Sequence, residues 1–268
     1  MDLAALIGAW PVGSASVAVV GPDGVIDQVD DGASRPWASV TKIVSALTVL
    51  DACVDGVLGL DTQAGPAGAT VRHLLAHASG IAMDSDDVMA APGTRRIYSN
   101  RGFEIAAQTV EWACGNDFAA EAGERVLQPL GMTGCELAGS PAHGMRSGIS
   151  DLAALAVELL QPATLLPGVV HAASTLAFPG LPGVLPGFGR QQHNDWGLGC
   201  EIRDGKSPHW TARENSPSTF GHFGQSGSFL WVDPVARLGC VSLADTAFGD
   251  WVVKAWPELS GEVLSGYG

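Results

Sequence analysis

Apolar and polar positions fall into two alternating regimes along the chain. Residues 16–20 and 25–29 are short β-branched runs separated by Gly21-Pro22-Asp23-Gly24, a tight-turn sequence, which predicts an opening β-hairpin. Near Ser39 the period changes. Val40, Ile43, Val44, Leu47 and Leu50 recur at three- and four-residue spacing and form one buried face of a helix. Thr70 is positioned to cap a helix over 71–78, residues 102–114 are periodic and end at Gly115, and a further helix over 118–127 stops before Pro129. Ser150 is positioned to cap 151–160, which Pro162 terminates. From 162 to 195 Pro and Gly are dense, which predicts a long loop region. Strands are predicted at 197–203, 227–232 and 238–243, the last two joined across Asp233-Pro234, followed by a closing helix over 251–264 interrupted near Pro257.

Strands at both ends with helices between them imply one sheet assembled from distant segments, an α/β (α+β) body with an antiparallel sheet and an inserted helical domain. The expected division is a discontinuous sheet domain, 1–38 and 195–268, and a helical domain, 39–194, that includes the loop region. A site between the two parts follows from that arrangement.

Composition narrows the partners. Lys plus Arg is 14 against 28 for Asp plus Glu in 268 residues, a formal charge of −14, so the overall field repels phosphate backbones and anionic lipid headgroups. Neither nucleic acid nor a membrane is an expected partner, and no apolar run has the length of a membrane span. Residues 1–10 carry Asp2 and no Lys or Arg, unlike a secretory leader. Cys53, Cys114, Cys135, Cys200 and Cys240 are odd in number and widely spaced, which fits reduced thiols packed in a cytoplasmic protein.

Three clusters carry candidate chemistry. Lys42 stands three residues after Ser39 at the start of the strongest helix, so ammonium and hydroxyl share a face; a desolvated lysine can take the proton that makes a serine nucleophilic. Tyr98 and Asn100, if extended, offer a phenol and an amide to one cleft, and the plainer alternative is a core tyrosine with an asparagine helix cap. Residues 221–227, Gly-His-Phe-Gly-Gln-Ser-Gly, present His222 and close-approaching backbone at a sheet edge, with the Gln225 amide as a candidate oxyanion donor; the alternative is a turn with a surface histidine.

Taken in order, Ser39-x-x-Lys42, Tyr98-x-Asn100 and His222-x-Gly224 resemble the serine β-lactamase and penicillin-binding-protein superfamily, closest to the branch of class C β-lactamases, D-alanyl-D-alanine carboxypeptidases and related esterases. The likeness extends to Val71-Arg72-His73-Leu74-Leu75-Ala76-His77-Ala78-Ser79-Gly80, to Pro92-Gly93, to Leu127-Gln128-Pro129-Leu130-Gly131-Met132 and to Ser150-Asp151-Leu152-Ala153. The resemblance implies a β-lactamase/transpeptidase-like fold, with Ser39 acylated and Lys42 and Tyr98 sharing its proton. It implies further that Asn100 holds a substrate oxygen, that the amides of Ser39 and Gln225 form the oxyanion hole, and that His222 and Gly224 border the substrate. The family's usual Lys-Thr-Gly is replaced here by His222-Phe223-Gly224. A mostly neutral histidine and an apolar Phe223 bind a substrate carboxylate poorly, which shifts the expectation from β-lactams toward esters.

Other readings carry less. His73 and His77 have metal-ligand spacing, but Leu74 stands where a zincin needs glutamate. Gly205-Lys206-Ser207 lacks the upstream glycine of a phosphate loop, and no G-x-S-x-G elbow or class A Ser-Asp-Asn is present. The expectation is a cytoplasmic serine hydrolase acting on a small ester, amide or peptide without metal or cofactor. The alternatives are a D-amino-acid carboxypeptidase or weak β-lactamase, favoured if Arg213 reaches the cleft, and a non-catalytic binding protein on the same fold.

Overall fold

The structure is a computed structural model describing residues 1–268. In chain order its elements are α1 (Leu3–Gly8), β1 (Ala15–Gly21), β2 (Gly24–Val29), β3 (Arg35–Pro36), α2 (Thr41–Val54), α3 (Val71–Leu75), α4 (Asn100–Cys114), α5 (Phe118–Ala122), β4 (Glu136–Leu137), β5 (Met145–Ser147) and α6 (Ile149–Leu160). There follow α7 (Pro167–Ser174), β6 (Gly183–Leu185), β7 (Gly189–Gln191), β8 (Glu201–Ile202), β9 (Phe220–Gly224), β10 (Ser228–Asp233), β11 (Leu238–Ala244) and α8 (Val252–Tyr267).

The predicted hairpin is β1–β2, and it forms the edge of a six-stranded antiparallel sheet ordered β2-β1-β11-β10-β9-β8. First and last strands therefore meet: Val19 of β1 lies opposite Cys240 of β11, which in turn lies opposite Trp231 of β10. Every residue of β1, β10 and β11 is buried, because helices cover both faces of the sheet. On one face α6 packs across β1, β10 and β11, α2 reaches β9 and packs with α4 and α7, and 46 buried apolar residues join sheet and helices in a single core. On the other face α1 and α8 enclose a second cluster of 20, rich in aromatic residues. The larger core holds α2, which is buried nearly all round; such a helix fixes its side chains with little latitude.

Several elements depart from the pattern. The region 162–195 is not a long loop: Pro167 begins α7, whose Val169, Val170 and Ala173 are buried, and β6–β7 form a hairpin. Proline at a first helical turn costs nothing, which is why Pro density misleads there. α8 runs unbroken through Pro257, because Trp256, Leu259 and Val263 on either side are buried against the sheet. α5 ends at Ala122 and the chain continues as a wider π turn over Gly123–Leu127. α3 stops at Leu75, three residues short of its predicted end. α1 and the small sheet β3-β5-β4 are too short to leave a periodic signal.

Candidate active site

Ser39 occupies the middle of a 3-10 turn, Ala38–Val40, that leads into α2. Ala38 has φ 45°, a left-handed conformation costly for a residue with a side chain, so its surroundings must impose it. They do: the Trp37 amide donates to Met145 O (2.8 Å) and its indole to Ser147 Oγ (3.0 Å), while Trp37 O accepts from Ser228 Oγ (2.6 Å) and Pro36 O from Ser226 Oγ (2.7 Å). β9 closes against the same turn. A Cβ on Gly224 would lie 2.3 Å from Trp37 O and 3.0 Å from the Ala38 Cβ, so only glycine permits this approach.

Lys42 is fully buried on the first turn of α2. Its Nζ lies 3.3 Å from Ser39 Oγ, 2.6 Å from Asn100 Oδ1 and 2.9 Å from Ala142 O, and it stands over the Tyr98 ring, 4.8 Å from the centroid. Burial pulls its pKa down to about 7, against the opposing pull of Asp84 and Glu104. Hydrogen-bond bookkeeping then distinguishes two states. An ammonium donates to all three oxygens. A neutral amine has two N–H bonds, which serve the acceptor-only oxygens of Asn100 and Ala142 and leave the lone pair directed at the Ser39 hydroxyl. That is the arrangement of a general base.

Tyr98 and Asn100 come to the same cleft by a different local route than an extended segment. Ser99 caps α4, its hydroxyl accepting from the Gly102 amide (2.9 Å), and Asn100 is the first helical residue. Tyr98 is half-buried against His77, ring centroids 4.5 Å apart. Its burial raises the phenol pKa well above the usual value, and the Ser39 hydroxyl offsets only part of this. Burial thus pushes the two partners of the expected shared proton apart, the phenol up and the amine down to about 7.

His222 is buried on β9 with its Nδ1–H donating to Phe223 O (2.7 Å), so Nε2 carries the lone pair, 3.5 Å from the Tyr98 hydroxyl. Burial, reinforced by Lys42, lowers its pKa to about 3, and the ring is uncharged at neutral pH. Gln225 is exposed at the turn after β9, and its N–H donates to no acceptor in the chain. Ser39, Tyr98, His222 and Gln225 line one cleft, walled by Met83, Leu185, Pro186 and Trp196, with only about 40 Å³ of free volume. Phe223 borders it, but its ring turns to the opposite face of the sheet, among Phe248, Trp210 and Trp256. Phe223 is therefore less an apolar wall of the cleft than a part of the second core.

The remaining candidates are structural. His73 bonds Thr70 Oγ1 (2.9 Å) and stacks on Phe178, whereas His77 lies beyond the end of α3 and accepts from the Ser99 amide (3.1 Å), so the two rings do not face one another across a helix turn. Arg213 is exposed and does not line the cleft. Lys206 is buried in an ion pair with Glu201, whose carboxylate also accepts from Trp210 Nε1 (3.1 Å) and meets His209 Nε2 at 3.0 Å. Burial alone would raise the Glu201 pKa, but Lys206 and His209 hold it ionised. Glu201 reaches the cleft, and sequence reading passed over it, as it did Asp84 and the Ala142 carbonyl. His77 was legible in the His77-Ala78-Ser79-Gly80 stretch, but a backbone carbonyl leaves no residue-type signal.

Comparison with known proteins adds a further line. The family model described as Beta-lactamase matches residues 11–263. The crystal structure of a beta-lactamase from Mycobacterium bovis is 50% identical, with 98% of each chain covered and a TM-score of 0.96. A simvastatin synthase variant from Aspergillus terreus (14% identity, TM-score 0.76, 98% of this chain and 93% of that one) shares the fold. So does an octameric penicillin-binding protein homologue from Pyrococcus abyssi (17% identity, TM-score 0.73, 98% and 76%). No curated protein matches the chain at significant similarity.

Proposed function

The chain belongs to the Beta-lactamase family, and on that premise we propose that it is a serine hydrolase that cleaves a small, uncharged ester or amide through an acyl-enzyme on Ser39. The observation that carries this reading is the hydrogen-bond environment of Lys42, in which two fixed acceptors leave a neutral amine with its lone pair toward the Ser39 hydroxyl. In acylation Lys42 takes the Oγ proton as Oγ attacks the carbonyl carbon, and the Ser39 and Gln225 amides hold the oxygen that becomes negative. The proton then passes to the leaving alcohol or amine as the bond to it breaks. Water attacks the acyl-serine in the second half, releasing a carboxylic acid and restoring Ser39.

The substrate class follows from charge and size. The residue at the place where a carboxylate would be bound is a neutral His222, Arg213 is not at the cleft, and Asp84 lies beside Asn100, so nothing here favours an anionic substrate. The cleft beside Ser39 is narrow, between Met83, Leu185, Pro186 and Trp196, which favours a small acyl group. The five thiols are all unpaired, which is consistent with action in the cytoplasm. A second reading is D-amino-acid carboxypeptidase action or β-lactam hydrolysis, the latter favoured by the 50% identical relative described as a beta-lactamase. The two are separated by assaying p-nitrophenyl acetate and a penicillin with the wild type and Ser39→Ala. The ester reading expects turnover of the acetate that falls on the order of 10³-fold in Ser39→Ala. Undiminished hydrolysis by Ser39→Ala overturns it. Binding that raises the melting temperature without turnover moves the chain to the class of non-catalytic binding proteins.

A further inference from the structure

We propose that Asp84 is a positioning residue for acylation: its carboxylate decides which end of the Asn100 amide faces Lys42, and so keeps the lysine lone pair free for Ser39. This rests on the reading of Lys42 as the base. The geometry is a chain of three contacts. Asp84 Oδ1 accepts from Asn100 Nδ2 at 2.7 Å, Asn100 Oδ1 accepts from Lys42 Nζ at 2.6 Å, and Lys42 Nζ meets Ser39 Oγ at 3.3 Å.

An amide side chain has a donating and an accepting end of nearly the same shape, and only its partners select between them. A carboxylate accepts hydrogen bonds and donates none, so Asp84 admits only the NH₂ end, which turns the oxygen toward Lys42. Were the amide reversed, Nδ2 would donate into the lone pair of the neutral amine and Ser39 would lose its base. Asn100 is thereby held at both ends, by one hydrogen bond each. One N–H of its Nδ2 is committed to Asp84, and the second remains the donor that could hold a substrate oxygen.

The loop carrying Asp84 is fastened for this role. Met83 O accepts from the amides of Asn100 (2.8 Å) and Arg101 (3.0 Å) at the start of α4, and the Arg101 guanidinium holds Asp86 (2.6 Å). Other groups surround Lys42. Glu104 faces it from α4 but is engaged by Ser140 Oγ (2.8 Å), and Tyr98, His77 and His222 approach from the other elements, all three uncharged at neutral pH. Asp84 is the carboxylate that touches the amide on which the lysine depends, and it is itself exposed, so replacing it does not open the core.

The test is the rate at which a fluorophosphonate probe labels Ser39, followed from pH 5 to 9, together with kcat and KM for p-nitrophenyl acetate. Asp84→Asn keeps the shape but can donate as well as accept, so it releases the amide orientation. Labelling and kcat are expected to fall about tenfold with KM changed less than about twofold. The acid limb of the labelling profile is expected to move to lower pH, because a carboxylate that favours the ammonium form has been removed. Asp84→Glu, acceptor-only again, is expected to recover part of the rate, and melting temperatures of all three proteins are expected to agree. Wild-type and Asp84→Asn rates that coincide across the pH range overturn the role of Asp84 while leaving the base reading intact. A wild type that the probe does not label overturns both.

Discussion

At the scale of single residues, the decisive feature is a lysine with no solvent exposure, held among three oxygens of which only one can give up a proton. A buried lysine is unusual enough to require a reason, and burial, opposed by Asp84 and Glu104, moves its titration from the alkaline range down to about pH 7. The sign follows. In the proposed mechanism the neutral amine is the active form, so kcat/KM for a neutral ester is expected to rise with pH and level off above about 7. A pH–rate profile checks this, and a limb near 10, the value of an unperturbed lysine, contradicts it. His222 titrates far below this window and Tyr98 above it, so neither is expected to contribute a limb between pH 5 and 9. Residue spacing made Ser39 and Lys42 legible, since positions three apart on a helix share a face wherever the helix lies. The division of labour between Lys42 and Tyr98 was not legible, because it depends on how deeply each is buried and on a carbonyl from a segment a hundred residues away.

Among elements, what matters is how few of them build the site and how closely they approach. The turn that carries Ser39 is pinned between β5 and β10, and β9 lies against it at Gly224. Gly224→Ala is expected to cost about 1–3 kcal/mol of stability and most of the activity, since its Cβ would stand 2.3 Å from Trp37 O. Chemical denaturation with a parallel ester assay measures both; a stable, active Gly224→Ala protein contradicts the close approach. Elements whose signals are local were well read: the hairpin β1–β2, the face of α2, and α4 with its stop at left-handed Gly115. β6–β7 was missed because its support is non-local, resting on the Arg96 amide donating to Pro182 O (2.9 Å) and the Arg96 side chain to Asn194 O (3.1 Å). That hairpin supplies Leu185 and Pro186 to the cleft, so specificity depends on the part of the chain the pattern described least.

For the molecule as a whole, the two ends of the chain form one sheet; α2 brings Lys42 to it, α4 and the segment before it bring Asn100 and Tyr98, and β9 presents His222. A net charge of −14 acts on everything that approaches. An ester bearing a carboxylate is expected to react about tenfold or more slowly than its neutral analogue at low salt. Part of that deficit should disappear between 0.01 and about 0.2 M salt as the field is screened, while the neutral ester is unaffected. Initial rates over a salt series check it, and equal rates for the two esters contradict the proposed substrate class. Strands at both ends with helices between them made this architecture legible in the sequence, and the resemblance carried by the ordered motifs implied the same fold. The central claim is covalent, and intact-protein mass spectrometry of wild type and Ser39→Ala, quenched in acid during turnover of p-nitrophenyl acetate, tests it most directly. The account predicts an acetyl adduct on the wild type that maps to Ser39 and is absent from the variant; turnover with no adduct, or with an adduct on another residue, contradicts it.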